Sequence, residues 1–234
     1  MQLFYATGIT GQFVTLGKTE SNHCINVLRH GTGDIIRIID GSGGIYAARI
    51  IEADPRACKV EITDYFPGDN SRPKLHLAIA PPKHSDRFEW FIEKAVELGV
   101  GQITPIRCQR SERKEIKAER LEKIIIASMK QAMVAKQPVL HDMISCSQFI
   151  RSDDPLHSDK FIATCSESMN KPLHESLVKG NPVILLIGPE GDFTPEEIKL
   201  AKASDYKPVS MGAQRLRTET AALAGCITFN LFNP

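Results

Sequence analysis

Residues 183–197 read VILLIGPEGDFTPEE, an apolar run followed by a glycine-containing loop and a helix start. In α/β proteins this order of strand, glycine and helix is typical of a loop that holds a nucleotide-like ligand. Thr194, Pro195 and Glu197 form the pattern of a capping box with proline at the first helical position. The stretch therefore predicts a buried strand whose carboxyl end lies beside a ligand site.

The chain around this stretch alternates between strand and helix patterns. Short apolar runs predict strands at 75–80, 102–108, 160–165, 183–188 and 207–212. Amphipathic or capped segments predict helices at 85–99, with Ser85 as its cap, at 117–135, from Thr194 onward, and at 218–232. Such alternation is typical of an α/β fold with a mostly parallel sheet that is covered on both faces.

The first 66 residues have a different pattern. Alternating runs at 35–40, 45–53 and 59–66 predict strands, GSGG at 41–44 predicts a hairpin turn, and residues 19–29 predict one helix. PGDNSRP at 67–73 predicts a linker. We therefore expect two domains, residues 1–70 and residues 71–234.

Composition excludes several classes of protein. The chain has 234 residues, a formal net charge of +1 and six cysteines without a CxxC pair, which argues against a zinc site and favours a reduced cytoplasm. It contains no apolar stretch of membrane-spanning length and no basic-then-apolar pattern at its start. We expect a cytoplasmic protein with no metal and no membrane partner.

The glycine loop lacks the features of a phosphate site. It has no Gly-Lys-Ser/Thr, its glycines are not spaced as GxGxxG, and Glu190 and Asp192 would repel phosphate. Backbone groups exposed at glycine can bind the edge of an adenine, and a carboxylate tolerates a sulfonium. S-adenosylmethionine has both features, and the alternative is a tight turn without a ligand.

A second bend, SMGAQRLRTETAALAG at 210–225, again places a strand and a glycine before a helix. Arg215 and Arg217 precede this helix although a helix N-terminus disfavours cations, whereas Glu219 suits its first turn. The arginines indicate an anionic partner or a charge that develops in a reaction. The alternative is that Arg217 pairs with Glu219 or Glu190.

Basic residues are concentrated in residues 107–136, which we call the basic segment. It holds nine lysines and arginines and four glutamates, a local excess of five positive charges. This excess is typical of an RNA-binding surface or, alternatively, of a solvated helix face.

The motifs IGPEGxFTxEE and MGxxxLRTETAAL, in this order, resemble the RsmE family of small-subunit ribosomal RNA uridine-N3 methyltransferases. The resemblance covers nearly the whole chain. Weaker matches include His23, Val27-Leu28-Arg29, Gly33-Asp34, Asp40-Gly41, Lys83, Lys94, Glu97-Leu98-Gly99, Ser111-Glu112-Arg113, Glu119-Arg120, Lys123-Ile124 and Gln131. The resemblance implies a small PUA-like β-barrel that binds RNA, followed by a methyltransferase domain of the SPOUT class with a C-terminal trefoil knot.

The resemblance also implies the activity and the partners. The expected function is S-adenosylmethionine-dependent methylation of N3 of a uridine in 16S ribosomal RNA of the small ribosomal subunit, by a homodimer. Expected cofactor-binding residues are Leu186, Ile187, Gly188, Pro189, Glu190, Gly191, Met211, Gly212, Arg215, Leu216 and Thr220. Expected RNA-binding residues are Arg29, Lys83, Arg110, Arg113, Lys117 and Arg120.

Two residues are candidates for the chemistry. N3 of uracil carries a proton at neutral pH, so a base or a stabiliser of the uracil anion is needed. Arg217 is the expected stabiliser, and Glu219 is either a base or an orienter of Arg217. The alternatives are a ribose 2′-O-methyltransferase of the same class, whose early Asn-x-Gly-x-x-x-Arg motif is absent from the sequence, and a non-catalytic RNA-binding module.

The sequence departs from the family pattern at three places. Asp192 replaces a usual glycine, Leu121 replaces a tryptophan, and residues 131–134 read QAMV where the family has Gln-Ser-x-Arg. The cofactor loops are thus nearly intact, and the changes concern the RNA contacts, for which Lys130 and Lys136 are candidate substitutes.

Overall fold

The computed structural model describes residues 2–68, 74–165 and 170–234. It forms two compact units, one of Met1–Ser71 with Ile126–Gln137 and one of Arg72–Ile125 with Pro138–Pro234. Most of the expected linker, and the expected boundary at residue 70, lie outside the described residues. The division into residues 1–70 and 71–234 therefore stays a prediction.

The N-terminal unit is built on a five-stranded sheet. Its elements are β1 (Leu3–Tyr5), β2 (Phe13–Thr15), α1 (Lys18–Asn22), a π-helical turn (His23–Val27), β3 (Ile35–Ile39), β4 (Ile45–Glu52) and β5 (Lys59–Phe66). The strand order is β1-β3-β4-β5-β2, and β3, β4 and β5 form the antiparallel set that the alternating pattern predicted. Ile36, Ile38, Ile50 and Val60 are buried at alternate positions, as expected for strands with one covered face.

The helix expected at 19–29 is shorter than predicted. The π-helical turn ends at Val27, and Arg29 has a φ of 60°, in the left-handed region. A residue in this conformation cannot continue a right-handed helix.

The second unit is a parallel α/β sheet. Its elements are β6 (Leu75–Ile79), α2 (Ser85–Glu97), β7 (Gln102–Arg107), α3 (Ala118–Ala132, which contributes residues to each unit), β8 (Val139–Leu140), β9 (Ile144–Ser145), α4 (Cys146–Ile150), β10 (Asp159–Ala163), α5 (Leu173–Ser176), β11 (Val183–Ile187), α6 (Pro195–Ala203), β12 (Lys207–Val209) and α7 (Thr218–Phe232). The strand order is β12-β10-β11-β6-β7-β8, with every pair parallel, and β9 also pairs with β7. The prediction of a parallel α/β fold is confirmed.

Local sequence explains the elements around the site. All five residues of β11 are buried, as expected for a strand that is covered on both faces. The capping box of α6 is present, since Thr194 Oγ1 accepts a hydrogen bond from Glu197 N at 3.3 Å and Glu197 Oε2 accepts one from Thr194 N at 2.9 Å. The expected cap of α2 is wrong, because Ser85 is its first helical residue and His84 precedes it without a side-chain cap.

The strand register brings three loops together. Ala163 of β10 lies opposite both Ile187 of β11 and Val209 of β12. Because these strands are parallel and adjacent, the loops that follow them meet at one edge of the sheet. We call residues 188–193 the β11 loop and residues 210–217 the β12 loop.

None of the helices in the described ranges combines the length and apolar character needed to cross a bilayer.

Candidate cofactor and catalytic site

A cavity of about 600 Å³ lies at the carboxyl ends of β10, β11 and β12. This volume is within the usual range for small-molecule and cofactor sites. Its lining comprises Ala163, Thr164, Cys165, Asn170, Ile187, Gly188, Pro189, Glu190, Asp192, Ser210, Met211, Gly212, Ala213, Gln214, Arg215, Leu216, Thr218 and Ala221.

The β11 loop requires glycine at its first position. A Cβ on Gly188 would lie 3.0 Å from ring atoms of Phe193, which is closer than real Cβ contacts normally allow. The Gly188 carbonyl accepts a hydrogen bond from Thr218 Oγ1 at 3.0 Å, and Asp192 N donates to the Pro189 carbonyl at 2.9 Å. The loop is therefore a tight turn that is tied to the start of α7.

The β12 loop closes the opposite side of the cavity. Gly212 has a φ of 131°, a conformation that favours glycine, and its amide N donates to Ser210 Oγ at 3.2 Å. Arg215 Nη2 donates to the Glu190 carbonyl at 3.0 Å. A contact between an arginine of one loop and the main chain of the other thus joins the two predicted ligand loops.

Most of the expected cofactor-binding residues line this cavity. They are Ile187, Gly188, Pro189, Glu190, Met211, Gly212, Arg215 and Leu216. Leu186 is fully buried within β11, whereas Gly191 and Thr220 are exposed and do not belong to the lining.

Sequence reasoning missed the third wall, which follows β10 and includes Thr164, Cys165 and Asn170. The strand itself was predicted at 160–165. Its carboxyl end has no glycine to signal a ligand loop, so the available signal was the rule that adjacent parallel strands end at one edge.

The lining suits a ligand with a neutral ring and a positive centre. Among the described residues that form it, Glu190 and Asp192 are acidic, Arg215 is basic, and no lysine is present. The Arg215 guanidinium is engaged with the Glu190 carbonyl. The lack of a lysine in the described lining and of a Gly-Lys-Ser/Thr loop distinguishes this cavity from the phosphate site of a P-loop.

The two candidate catalytic residues lie at the start of α7 and have different surroundings. Arg217 is the exposed N-cap residue, and in the described parts of the chain its side chain has no hydrogen bond or ion pair. Glu219 is buried, and its Oε1 lies 4.0 Å from Nε of Arg87 on α2. The alternative reading, in which Arg217 pairs with Glu219, is therefore not what the structure has, and Arg87 is a partner of Glu219 that sequence reasoning missed.

Two of the expected RNA-binding arginines contact main-chain carbonyls. Arg110 Nη1 donates to the Gly191 carbonyl at 2.6 Å. Arg113 donates from Nε to the Pro82 carbonyl at 3.0 Å and from Nη2 to the Lys83 carbonyl at 2.7 Å. These contacts give both arginines a role in holding loops of the second unit.

Other basic candidates form ion pairs. Arg120 lies 2.7 Å from Glu89 and Lys83 lies 2.8 Å from Glu112. In the N-terminal unit, Lys130, a candidate substitute for RNA binding, pairs with Glu20.

Lys117 is exposed, and no ion pair joins it to another described residue. Arg29 is exposed beyond the π-helical turn. Whether these residues bind RNA stays a prediction.

One group of described residues offers metal-ligand atoms, namely Cys108, Cys146 and Glu197, whose ligand atoms lie within 4.8 Å of one another. Both carboxylate oxygens of Glu197 already accept backbone N–H groups, from Gln109 at 2.9 Å and from Thr194. A hydrogen bond with Cys146 and burial raise the pKa of the Cys108 thiol, which favours its neutral form over the thiolate that binds metal. The group is explained as packed thiols beside a helix cap, and the expected absence of a metal stays a prediction.

Comparison with known families defines the class of protein. A model of the RNA methyltransferase domain matches residues 69–230, and a model of the RNA methyltransferase PUA domain matches residues 16–63. The chain belongs to the RNA methyltransferase family.

Individual relatives narrow the family further. The Ribosomal RNA small subunit methyltransferase E of Synechocystis is 29% identical, with 93% of this chain and 72% of the relative aligned. A probable rRNA-methyltransferase of Porphyromonas gingivalis has a similar structure, with 39% identity, a TM-score of 0.92, and 100% and 98% of the two chains covered. The Ribosomal RNA small subunit methyltransferase E of Neisseria gonorrhoeae, solved with S-adenosyl methionine, is 25% identical with a TM-score of 0.88, over 100% and 98% of the chains. The expected resemblance to the RsmE family is confirmed.

Proposed function

We propose that this protein transfers the methyl group of S-adenosylmethionine to N3 of a uridine in 16S ribosomal RNA of the small ribosomal subunit. The observation that carries the proposal is the glycine-walled cavity at the ends of β10, β11 and β12, in a chain that belongs to the RNA methyltransferase family. Relatives named Ribosomal RNA small subunit methyltransferase E support the choice of small-subunit ribosomal RNA as substrate. The ribosomal substrate implies that the protein acts in the cytoplasm.

The cavity residues would hold the cofactor mainly through the main chain. Gly212, whose Cβ position is open, lets the backbone of the β12 loop approach a ligand closely, while Gly188 lets the β11 loop pack against the Phe193 ring. Glu190 places a carboxylate at the lining, where it favours a positive ligand atom. When bound, S-adenosylmethionine supplies an electrophilic methyl group on a sulfonium.

Arg217 is the proposed stabiliser of the uracil anion. Transfer of the N3 proton to water places negative charge on O2 and O4, and a guanidinium that is free of internal partners in the described chain is able to face that charge. Glu219 is buried beside Arg87, which favours a role in orienting Arg87 over a role as the base. Positioning of the uracil N3 in line with the methyl group then provides most of the rate enhancement.

We also propose that two copies of the chain associate through α2 and α7. These helices pack on each other and expose Trp90, Ile227 and Leu231, with 47%, 46% and 78% of their surface accessible. Exposed apolar residues that are clustered on neighbouring helices are typical of a protein interface. In analytical ultracentrifugation the parent should sediment as a dimer and Ile227→Glu as a monomer, whereas a monomeric parent would exclude this interface.

The finer fold features expected from the RsmE family belong to the proposal as well. In the N-terminal unit, the five-stranded sheet and the match of the PUA domain model to residues 16–63 support a PUA-like domain, for which we propose a barrel. In the second unit, β12 lies at the sheet edge while α7 packs on β6 and β11, so the chain between them crosses the ends of β10 and β11. This crossing supports the expected trefoil knot.

The test of the function is methyl transfer to small ribosomal subunits that lack the modification, followed by nucleoside mass spectrometry. The proposal predicts N3-methyluridine in 16S ribosomal RNA that depends on both the protein and S-adenosylmethionine. Ribose-methylated nucleosides instead would identify a 2′-O-methyltransferase. RNA binding without methylation, at saturating cofactor, would identify a non-catalytic binding module.

A further inference from the structure

Asp192 has a backbone conformation that side chains rarely adopt. Its φ is 61°, in the left-handed region, at the position where the family pattern has glycine. Glycine takes this conformation without steric cost, whereas aspartate tolerates it at some cost. An aspartate here therefore needs side-chain contacts that offset the strain.

The Asp192 carboxylate makes those contacts with the third wall of the cavity. Its Oδ2 accepts hydrogen bonds from Thr164 Oγ1 at 3.0 Å and from Cys165 N at 2.9 Å. Its Oδ1 accepts from the neighbouring Phe193 N at 2.8 Å. The carboxylate thus spans from the β11 loop to the end of β10 and satisfies a backbone N–H there.

Thr164 connects this contact to the rest of the cavity. It is 7% exposed, its amide N donates to the Val209 carbonyl at 3.3 Å, and its carbonyl accepts from Asn170 Nδ2 at 3.2 Å. Thr164 and Cys165 are therefore tied to the β11 loop through the Asp192 carboxylate, and Thr164 is also tied to the end of β12 through the Val209 carbonyl.

We propose that Asp192 is a positioning residue that holds Thr164 and Cys165 as a preformed wall of the methyl-donor cavity. The proposal rests on the proposed function, because it assigns the wall to S-adenosylmethionine. Preforming the wall lowers the ordering cost of binding. Since both oxygens accept hydrogen bonds from the protein, the geometric role outweighs direct attraction to the sulfonium.

The first test measures the wall without any ligand. Cys165 is exposed and the other five cysteines are buried, so an aromatic disulfide reagent added to the folded protein reports on Cys165. Asp192→Gly relieves the backbone strain but removes both contacts, and the reaction of Cys165 should become about tenfold faster because the segment is released. Asp192→Asn keeps an acceptor oxygen for Thr164 and Cys165 and should change the rate by no more than about threefold.

The second test measures binding of S-adenosylhomocysteine by calorimetry. Asp192→Gly should weaken binding about tenfold, and Asp192→Asn by about threefold or less. Thr164→Val removes one partner of the carboxylate while keeping the side-chain shape. In the Asp192→Gly background, Thr164→Val should add little, because the two residues act through one contact.

The outcomes separate this proposal from the proposed function. If Asp192→Asn weakens binding as much as Asp192→Gly while Cys165 reacts at the parental rate in both, the carboxylate acts as a charge and the positioning role is wrong. If the parent does not bind S-adenosylhomocysteine, the proposed function fails, whereas the Cys165 rates still test the wall. Unchanged Cys165 rates and unchanged binding in Asp192→Gly would overturn the proposal outright.

Discussion

The β11 loop and the basic segment differ in how the fold uses them. In the loop, Gly188, Pro189 and Glu190, which are expected to bind the cofactor, line a cavity, and their contact with a ligand stays a prediction. In the basic segment, Arg110 and Arg113 are engaged with main-chain carbonyls of the same unit. A strand-glycine-helix motif thus indicates where a cavity lies, whereas a local charge excess does not tell which charges are available to a partner.

The two regions are also in direct contact. Arg110 bonds to the Gly191 carbonyl, and a Cβ on Gly191 would lie 3.3 Å from the Arg110 side chain. The arginine therefore packs over the glycine loop and neutralises part of its carbonyl charge. Part of the charge excess that favoured RNA binding is therefore engaged with the main chain of the β11 loop.

The largest expected effect is on the methylation rate and concerns Arg217, whose side chain has no partner in the described chain, unlike those of Arg110 and Arg113. Arg217→Ala should lower the single-turnover methylation rate by roughly two to three orders of magnitude, the cost of removing one electrostatic stabiliser of a transition state. S-adenosylhomocysteine affinity should change far less. Arg217→Lys should recover little, because a point charge does not reproduce a planar two-pronged contact. A near-parental rate in Arg217→Ala would show that an exposed arginine here has no catalytic role.

The next effect tests the loop itself. In Gly188→Val the added side chain meets the Phe193 ring, so the β11 loop must move and S-adenosylhomocysteine binding should weaken by roughly tenfold to a hundredfold. Gly11→Val is the matched control, because a Cβ on Gly11 has no heavy atom within 4 Å in the described structure. Calorimetry on both folded variants measures S-adenosylhomocysteine affinity. A parental affinity in Gly188→Val would mean that the ligand does not depend on the backbone position of the β11 loop.

A smaller effect tests whether the basic segment supports the loop. Arg110→Ala leaves the Gly191 carbonyl without its donor and should weaken S-adenosylhomocysteine binding about fivefold. The salt dependence of RNA binding should stay at the parental slope. Lys114→Ala, an exposed neighbour, is the control for cofactor affinity. If Arg110→Ala instead changes the salt dependence of RNA binding and leaves S-adenosylhomocysteine binding intact, Arg110 contacts RNA.

The smallest expected effect is on the salt dependence of RNA binding, and it concerns basic residues whose side chains have no protein partner among the described residues. Lys117 is exposed and outside the carbonyl contacts, so Lys117→Ala should reduce the salt slope of RNA binding by about one unit, the release of one phosphate contact. Binding isotherms at several salt concentrations give the slope. Parental slopes in both Lys117→Ala and Lys114→Ala would mean that this stretch is a solvated face.

Sequence reasoning succeeded where a local sequence pattern is compatible with a single type of secondary structure. A fully apolar run such as 183–187 fits a strand covered on both faces, and the capping box at Thr194 fits a helix start. The short strands β1, β2, β8 and β9 were missed, since two or three residues carry too little periodicity to detect. Their pairing depends on neighbours that are distant in the chain.

The candidate site divides in the same way. Sequence alone determined the parallel α/β fold, the RsmE family and the two glycine loops. Each of these shows in the sequence itself, as alternating strand and helix patterns or as short glycine motifs. Tertiary structure decided that Thr164 and Cys165 form a third wall, that Asp192 accepts hydrogen bonds from both, and that Glu219 pairs with Arg87. Hydrogen bonds and ion pairs act over a few ångströms, and residues 28 or 132 positions apart meet at that distance only after the chain has folded.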